Sequence, residues 1–481
     1  MAIEQAVGNK LNNALDSALN SAVESALESI TKQPAPCIWV GLSAGVDSTV
    51  LMHAAAKYCS LSGHNLRAIH VHHGLSENAD AWAKQANGLC EHLSQKFSIT
   101  IDCIVENVTL NQHGKSLEQA ARSARYEIFS KYCQSNDVLL QGHHLDDQIE
   151  TFFMRAVRGS GLAGLASIPQ QRSLSRDNHC QVLRPLLALE KIQLIQYAKE
   201  HQLHWVEDES NLDSKMDRNW WRNELLPQVW RRYPEQKKSL FRTINNVQHE
   251  HALLQTLIVD KLMSKQQSDA LIHPALKDIP SFDLSLIHGL DQSSGFSYLR
   301  AWLAQYVDIL PSTVQMQIIY AEMIHARADS EPKVSWATSC LHRYQGYLYL
   351  LNAKSNSTIE VSSTIDRKNN WQGESLNGFG GYLECTEKTD GLALKPASYK
   401  IRCWKAGDVA KPTGRSTRKL KKWWQDYNVP NWARQHWPII VDKDTDEIAA
   451  IPGLFICHGY SVSRDQLGWQ VNYRVISKND F

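Results

Sequence analysis

The segment "CIWVGLSAGVDSTVLMH", residues 37–53, decides how the chain is read. Its apolar run, Cys37 to Leu42, ends at the small residues Ser43, Ala44 and Gly45, with Asp47 and Ser48 just beyond. Val50, Leu51 and Ala54 then resume an apolar helical pattern. A strand that turns tightly into a helix presents backbone N–H groups to phosphate. A loop of pattern GxxxxGK[ST] also needs a lysine for the terminal phosphates, and none follows here. Gly45 is the residue expected to take any positive φ the turn demands. Asp47 would repel a bare phosphate, so its partner is Mg²⁺, a ribose hydroxyl or a backbone donor. The plainer alternative is that Ser43 or Asp47 caps the helix.

Outward from this segment, strand and helix patterns alternate from Pro34 to about Ser210. Strands are expected at Cys37–Leu42, Leu66–His72, Ile99–Val105, Val138–Gly142 and Gln181–Leu187. Helices are expected at Ser48–Ser60, Glu77–Phe97, Ser116–Gln134, Asp146–Arg158 and Glu190–His201. The alternation predicts an α/β domain over 35–233: a doubly wound parallel sheet that binds ligands beyond the carboxyl ends of its strands. Residues 234–352 read as a mostly helical domain, with helices at Lys238–Lys265, Phe296–Val307 and Ser312–Ala326. A hairpin, Trp336–Arg343 with Tyr347–Leu351, closes it. Residues 353–398 read as a polar linker, and 399–481 as a small α+β domain rich in tryptophan and basic residues. Ahead of all this, residues 1–34 carry a helical stripe of Leu11, Leu15, Leu19, Val23, Leu27 and Ile30. It suits a dispensable surface helix or, alternatively, a docking or dimerisation helix.

The whole-chain figures narrow the classes. At 481 residues the chain exceeds what one core usually serves. Its net charge of +1 leaves nucleic-acid contact to local clusters rather than a bulk field. No apolar run is long enough for a membrane span. The cysteines are dispersed without C-x-x-C spacing, which disfavours zinc ribbons and favours a reducing cytosol.

Three further stretches bear chemistry. In "QGHHLDDQIETFFMRAVRGSGLAGL", residues 141–165, Ile149, Phe152, Phe153 and Ala156 share a helix face expected to be buried, with Asp147, Glu150, Thr151 and Arg158 on the other side. Acids in a first turn suit the helix dipole. Yet Asp146, Asp147 and Glu150 beside His143 and His144 exceed what capping requires, and could hold an ammonium group or a metal ion, or remove a proton. His70, His72 and His73 suit a metal triad poorly, because alternation puts His73 on the opposite face. Near the end, "GRSTRKLKKWWQDYNVPNWAR" reads as a helix capped by Ser416. Leu420, Trp423, Trp424 and Tyr427 form a core stripe, and Arg415, Arg418, Lys419 and Lys422 form either a phosphate-backbone footprint or a solvated face.

"SAGVDS" resembles the SGGxDS loop of the N-type ATP pyrophosphatases, the PP-loop superfamily, which cleave ATP between its α- and β-phosphates. "HVHHGL", "AARSARYEIF", "GHHLDDQIET", "RGSGLAGL", "RPLL", "EDESN" and "RNWWRNELLP" follow in the order seen in the tRNA(Ile)-lysidine synthetase family, and the likeness extends through "HRYQGYLYLL" to "KLKKWWQDYNVPNWARQHWPII". The resemblance implies a cytoplasmic RNA-modifying ligase. ATP adenylates the C2 oxygen of the wobble cytidine in the CAU anticodon of isoleucine tRNA; free L-lysine then attacks C2 and expels AMP, giving lysidine. On matching positions it implies that Ser43, Ala44, Gly45, Val46, Asp47 and Ser48 bind ATP, with Asp47 placing Mg²⁺ or the nucleotide. Asp146, Asp147 and Glu150 are implied to bind lysine and handle its protons. Arg122, Arg125, Arg184 and Arg218 become candidates for phosphate or lysine-carboxylate contacts, and Arg415, Arg418, Lys419 and Lys422 for tRNA. Related enzymes also suggest a homodimer, for which no seam is legible. Ala44 departs from the family's usual glycine, and a positive φ there would store strain. A tRNA-thiolating enzyme is the nearest rival, disfavoured by the lack of C-x-x-C pairs. A glutamine-fed synthetase and a non-catalytic RNA-binding scaffold are the others.

Overall fold

The computed structural model describes residues 2–28, 37–74, 76–110, 117–209, 217–265, 276–277, 279–324, 332–352, 363–364, 374–376, 381–393, 399–463 and 466–475. The chain forms two compact units, Met1–Leu254 and Gln255–Phe481.

In the first unit the strands are β1 (Ile38–Gly41), β2 (Leu66–His72), β3 (Ile101–Asn107), β4 (Val138–Leu140), β5 (Gln171–Ser173) and β6 (Gln181–Leu183). They lie in the order β3-β2-β1-β4-β6-β5, all parallel except β5, which runs antiparallel to β6. The expected doubly wound sheet is therefore present. β5 was not foreseen, because Gln-Arg-Ser has neither apolar alternation nor β-branched residues. The helices are α1 (Ala2–Glu28), α2 (Val46–Ser62), α3 (Ala79–Phe97), α4 (Leu117–Tyr132), α5 (Leu145–Val157), α6 (Leu162–Leu165), α7 (Lys191–Glu200), α8 (Asp217–Trp220) and α9 (Leu226–Arg232), and α10 (Lys237–Lys265) begins here and runs on past Leu254. A π-helical turn, Trp221–Leu225, joins α8 to α9.

Alternation along the strands fills both faces. Ile38, Val40, Leu66, Ala68, Val138 and Leu140 pack with α2, α3 and α7, while Trp39, Ile69, Leu139 and Val182 meet Phe129 of α4. The stripe of α1 corrects the picture of a separate extension. Leu15, Leu19, Val23 and Leu27 are buried in the same core as β1, against α2 and α7. An apolar face of that width is removed from water only by a second apolar surface, and the sheet's helical layer supplies it. Strand order reverses between β1 and β4, so a crevice opens at their carboxyl ends, where both motifs leave the sheet.

In the second unit the helices Gln292–Leu303 and Thr313–Ile318 accompany a four-stranded antiparallel sheet of Ser281–Asp283, Tyr347–Asn352, Ser339–Tyr344 and Lys333–Trp336. The hairpin turns at Gln345 and Gly346, both at positive φ, and Trp336 belongs to the preceding strand. The helix expected from Phe296 starts earlier because the Asp291 carboxylate accepts from the Ser294 N–H at 3.1 Å, a cap overlooked in the sequence. Within 353–398, Gly381–Thr389 is a nine-residue strand paired along its length with Leu467–Val475, so that stretch is no simple linker. The basic helix runs Leu420–Asp426 and begins at Lys419, not after Ser416, because Arg418–Lys419 pairs as a short strand with Val409–Ala410. Leu420, Trp423 and Trp424 are buried, as the stripe predicted.

Candidate active site

The phosphate loop is built by hydroxyls and one strained residue. The Ser48 hydroxyl donates to the Gly45 carbonyl at 3.0 Å and accepts from the Ser43 N–H at 3.1 Å. Gly45 is the extended N-cap of α2, at φ −72°, and neither Ser43 nor Asp47 caps the helix by its side chain. The positive φ falls on Ala44 instead, at 65°. Its carbonyl accepts from the Val206 N–H at 3.0 Å, which pins the turn from outside. The amides of Val46, Asp47 and Ser48 occupy the first turn, where no preceding carbonyl can satisfy them, so they remain available to an anion.

The second motif abuts this loop. A Cβ on Gly142, just past β4, would come within 3.1 Å of the Asp47 backbone and the Ser48 nitrogen, so a larger residue there would have to displace the loop backbone slightly. His144 then begins α5, and its buried ring faces carboxylates of both motifs. Nε2 lies 3.6 Å from Asp47 Oδ2 and 3.5 Å from Asp147 Oδ2, and Nδ1 lies 3.7 Å from Asp146 Oδ2.

Two arginines grip the α5 acids. Arg218 donates to Glu150 Oε2 at 2.8 Å and to Asp147 Oδ1 at 2.7 Å; Arg222 donates to Glu150 Oε1 at 2.6 Å and to Asp147 Oδ1 at 3.2 Å. Glu150 is only 1% exposed, so this charge pairing is what permits its burial. Burial by itself would raise the Asp147 pKa, but His144 and Arg218 carry it below the usual carboxylate range. Asp146 is lowered too: burial opposes, while the Lys191 N–H and the Lys237 ammonium, each at 2.9 Å, win. Asp47 is raised, because burial outweighs its nearest cations.

The remaining candidates separate. Arg184 is buried and donates to the Pro169 carbonyl, Gln141 Oε1 and His143 Nδ1, so its guanidinium is engaged within the protein. Arg122 and Arg172 lie 5.0 and 4.7 Å from the Tyr126 ring centre. Burial alone would raise the Tyr126 phenol, but these guanidinium groups and Arg184 bring it down to about 8. Arg125, on the same helix, is exposed. His70 gives its Nδ1 to the Leu42 carbonyl and His72 its Nε2 to Asp80. On the α5 face, Ile149 is buried but Ala156 is exposed. In the second unit, Arg415 and Arg418 lie over the Trp423 ring, and Lys419 and Lys422 are exposed. Arg222 and His144 take places in the site that the sequence did not assign to them. The i, i+4 spacing of Arg218 and Arg222 was the signal for the first.

Fold and site together define an ATP-using enzyme of the PP-loop class. Residues 16–229 match the family model for the PP-loop domain, 282–349 that of the TilS substrate binding domain, and 399–473 that of the TilS substrate C-terminal domain. The chain is 34% identical to the tRNA(Ile)-lysidine synthase of Photobacterium profundum, over 90% of this chain and 95% of that one. It is 33% identical to that of Coxiella burnetii, covering 90% and 92%, and 35% identical to that of Histophilus somni, covering 84% and 92%. The chain belongs to the tRNA(Ile)-lysidine synthase family.

Proposed function

We propose that this enzyme joins free lysine to C2 of the wobble cytidine in the CAU anticodon of isoleucine tRNA, using ATP. The observation that carries the reading is the meeting of the two motifs: Asp47 of the phosphate loop and Asp147 of α5 lie within 3.6 Å of one imidazole nitrogen. Phosphate chemistry and amine chemistry thus share one crevice. In the first step the cytidine O2 attacks the α-phosphorus, and the bond to the β-phosphate breaks to release pyrophosphate. The Ser43 and Ser48 hydroxyls and the first-turn amides of α2 hold the phosphates. In the second step the lysine ε-nitrogen attacks C2, the C2–O bond breaks, and AMP leaves.

The buried Asp47 Oδ1 has no hydrogen-bond partner among the described residues, which fits a Mg²⁺ ligand. That ion would neutralise phosphate charge. Asp147 and Glu150 receive the lysine ammonium, and Arg218 and Arg222 keep these acids balanced until it arrives. Arg122 and Arg125 supply positive charge for phosphate or for the lysine carboxylate. The amine must lose its proton before attack, and the α5 carboxylates Asp146, Asp147 and Glu150 are the groups assigned to take it. The exposed Lys419 and Lys422, with Arg415 and Arg418, support a tRNA-backbone contact. Ten free cysteines support a cytosolic place of action.

The test follows AMP release from α-labelled ATP with lysine and an unmodified CAU-anticodon isoleucine tRNA transcript, omitting each in turn, with Asp47→Ala as control. AMP that requires both tRNA and lysine and vanishes in the variant supports the reading. AMP that needs tRNA but ignores lysine overturns the choice of nucleophile. No AMP in any mixture favours an RNA-binding scaffold.

A further inference from the structure

We infer that His144 is a positioning residue that holds the phosphate loop in register with the α5 carboxylates. This deepens the ligase reading and rests on it. The backbone of His144 is fixed at the start of α5, and its ring is 1% exposed. The carboxylates around that ring are not equally constrained. Asp146 is fastened by the Lys191 N–H and by Lys237, and Asp147 by Arg218, Arg222 and the backbone N–H of His144 at 3.0 Å. Asp47 Oδ1, on the loop side, has no such fastening among the described residues. The ring therefore stands between a rigid side and a free one.

Its distances of 3.5–3.7 Å are slightly longer than formed hydrogen bonds. Nε2 faces Asp47 and Asp147 at nearly equal range, so one nitrogen serves both. Nδ1 has no hydrogen-bond partner among the described residues, with Asp146 Oδ2 standing off at 3.7 Å. A histidine that merely fills a core looks different. His70 in the same unit has its Nδ1 held by a backbone carbonyl at 2.8 Å. Binding of nucleotide and amine can shorten such contacts. Asp47 can then be drawn into place against the fixed α5 frame, so that nucleotide and amine are aligned by one ring.

The test compares His144→Gln with His144→Asn. The glutamine amide nitrogen reaches about where Nε2 stands, and the asparagine amide about where Nδ1 stands. Rates of AMP release are measured with ATP, lysine and tRNA varied separately, alongside thermal melting. The Gln variant is expected to keep kcat/KM for ATP and lysine within about tenfold of wild type. The Asn variant should fall by about 100-fold, with KM raised for both small substrates and unchanged for tRNA. Equal losses in the two variants, or losses in kcat and melting temperature with KM values unmoved, overturn the inference. If wild type gives no lysine-dependent AMP, the ligase reading falls on its own. ATP affinity by calorimetry then decides for His144, supporting it if Gln binds and Asn does not, and overturning it otherwise.

Discussion

At the level of single residues, Ala44 sits where backbone strain and nucleotide binding meet. At φ 65° its Cβ crowds the following carbonyl, a cost of roughly 1–2 kcal/mol. The residue tolerates the cost because its methyl group is buried and its carbonyl is bonded to Val206. A β-branched side chain there cannot relax in the same way. Ala44→Val is expected to lower the denaturant midpoint by more than about 2 kcal/mol in stability, whereas Ala44→Gly should stay within about 1 kcal/mol of wild type, since reduced burial offsets the relief of strain. Asp147 makes the complementary electrostatic case. A carboxylate whose pKa is lowered in the folded state adds stability above its unfolded pKa, near 4, and loses it as pH falls. Asp47, raised, carries the opposite sign. Urea midpoints at pH 7 and at pH 4 should therefore fall less steeply with acid in Asp147→Asn than in wild type.

Among the elements, α5 and α2 meet at the backbone of Gly142 as well as around the His144 ring. Gly142→Ala would bring its methyl within 3.1 Å of the Asp47 backbone, so the phosphate loop would have to shift slightly to make room. We expect KM for ATP to rise about tenfold or more, since sub-ångström misplacement is amplified in catalysis, while the melting temperature changes little by comparison. The opposite pattern is expected for α1. Leu27 is fully buried, so Leu27→Ala should remove about 2–5 kcal/mol of stability, read from the denaturation midpoint, with KM values unchanged in the folded fraction. An α1 stripe that left the melting curve unmoved would contradict its place in the core.

For the molecule as a whole, charge is the governing quantity. With a net charge of +1, affinity for RNA has to come from local clusters. All four residues of the C-terminal cluster are exposed, but Arg418 is already engaged with Asp426 at 3.2 Å and, like Arg415, lies over the Trp423 ring, so Lys419 and Lys422 are the members chosen for the test. Replacing both lysines by alanine should weaken tRNA binding across a salt titration and shallow the slope of log K against log salt by about 1 for each lysine–phosphate pairing removed. ATP and lysine KM values serve as the internal control and should not move.

The sequence by itself determined the sheet, the loop after β1 and the acidic start of α5. Alternating apolar runs and small-residue turns are local signals, set by backbone geometry within a few residues. It also marked the aromatic stripe Leu420–Trp424 as core, because helical spacing alone puts those side chains together. Only the tertiary structure decided the rest. Gly45 was the expected seat of a positive φ, yet the Val206 contact places that conformation on Ala44. That Arg184 would be buried and bonded to Gln141 and Pro169 was likewise invisible in its own stretch of sequence. The stripe on α1 said only that something must cover it; the helices flanking β1 are what do. Which acid meets which cation depends on chain crossings scores of residues apart, as between Glu150 and Arg222. No local pattern encodes such meetings, because they are settled by packing and by the need to pair every buried charge.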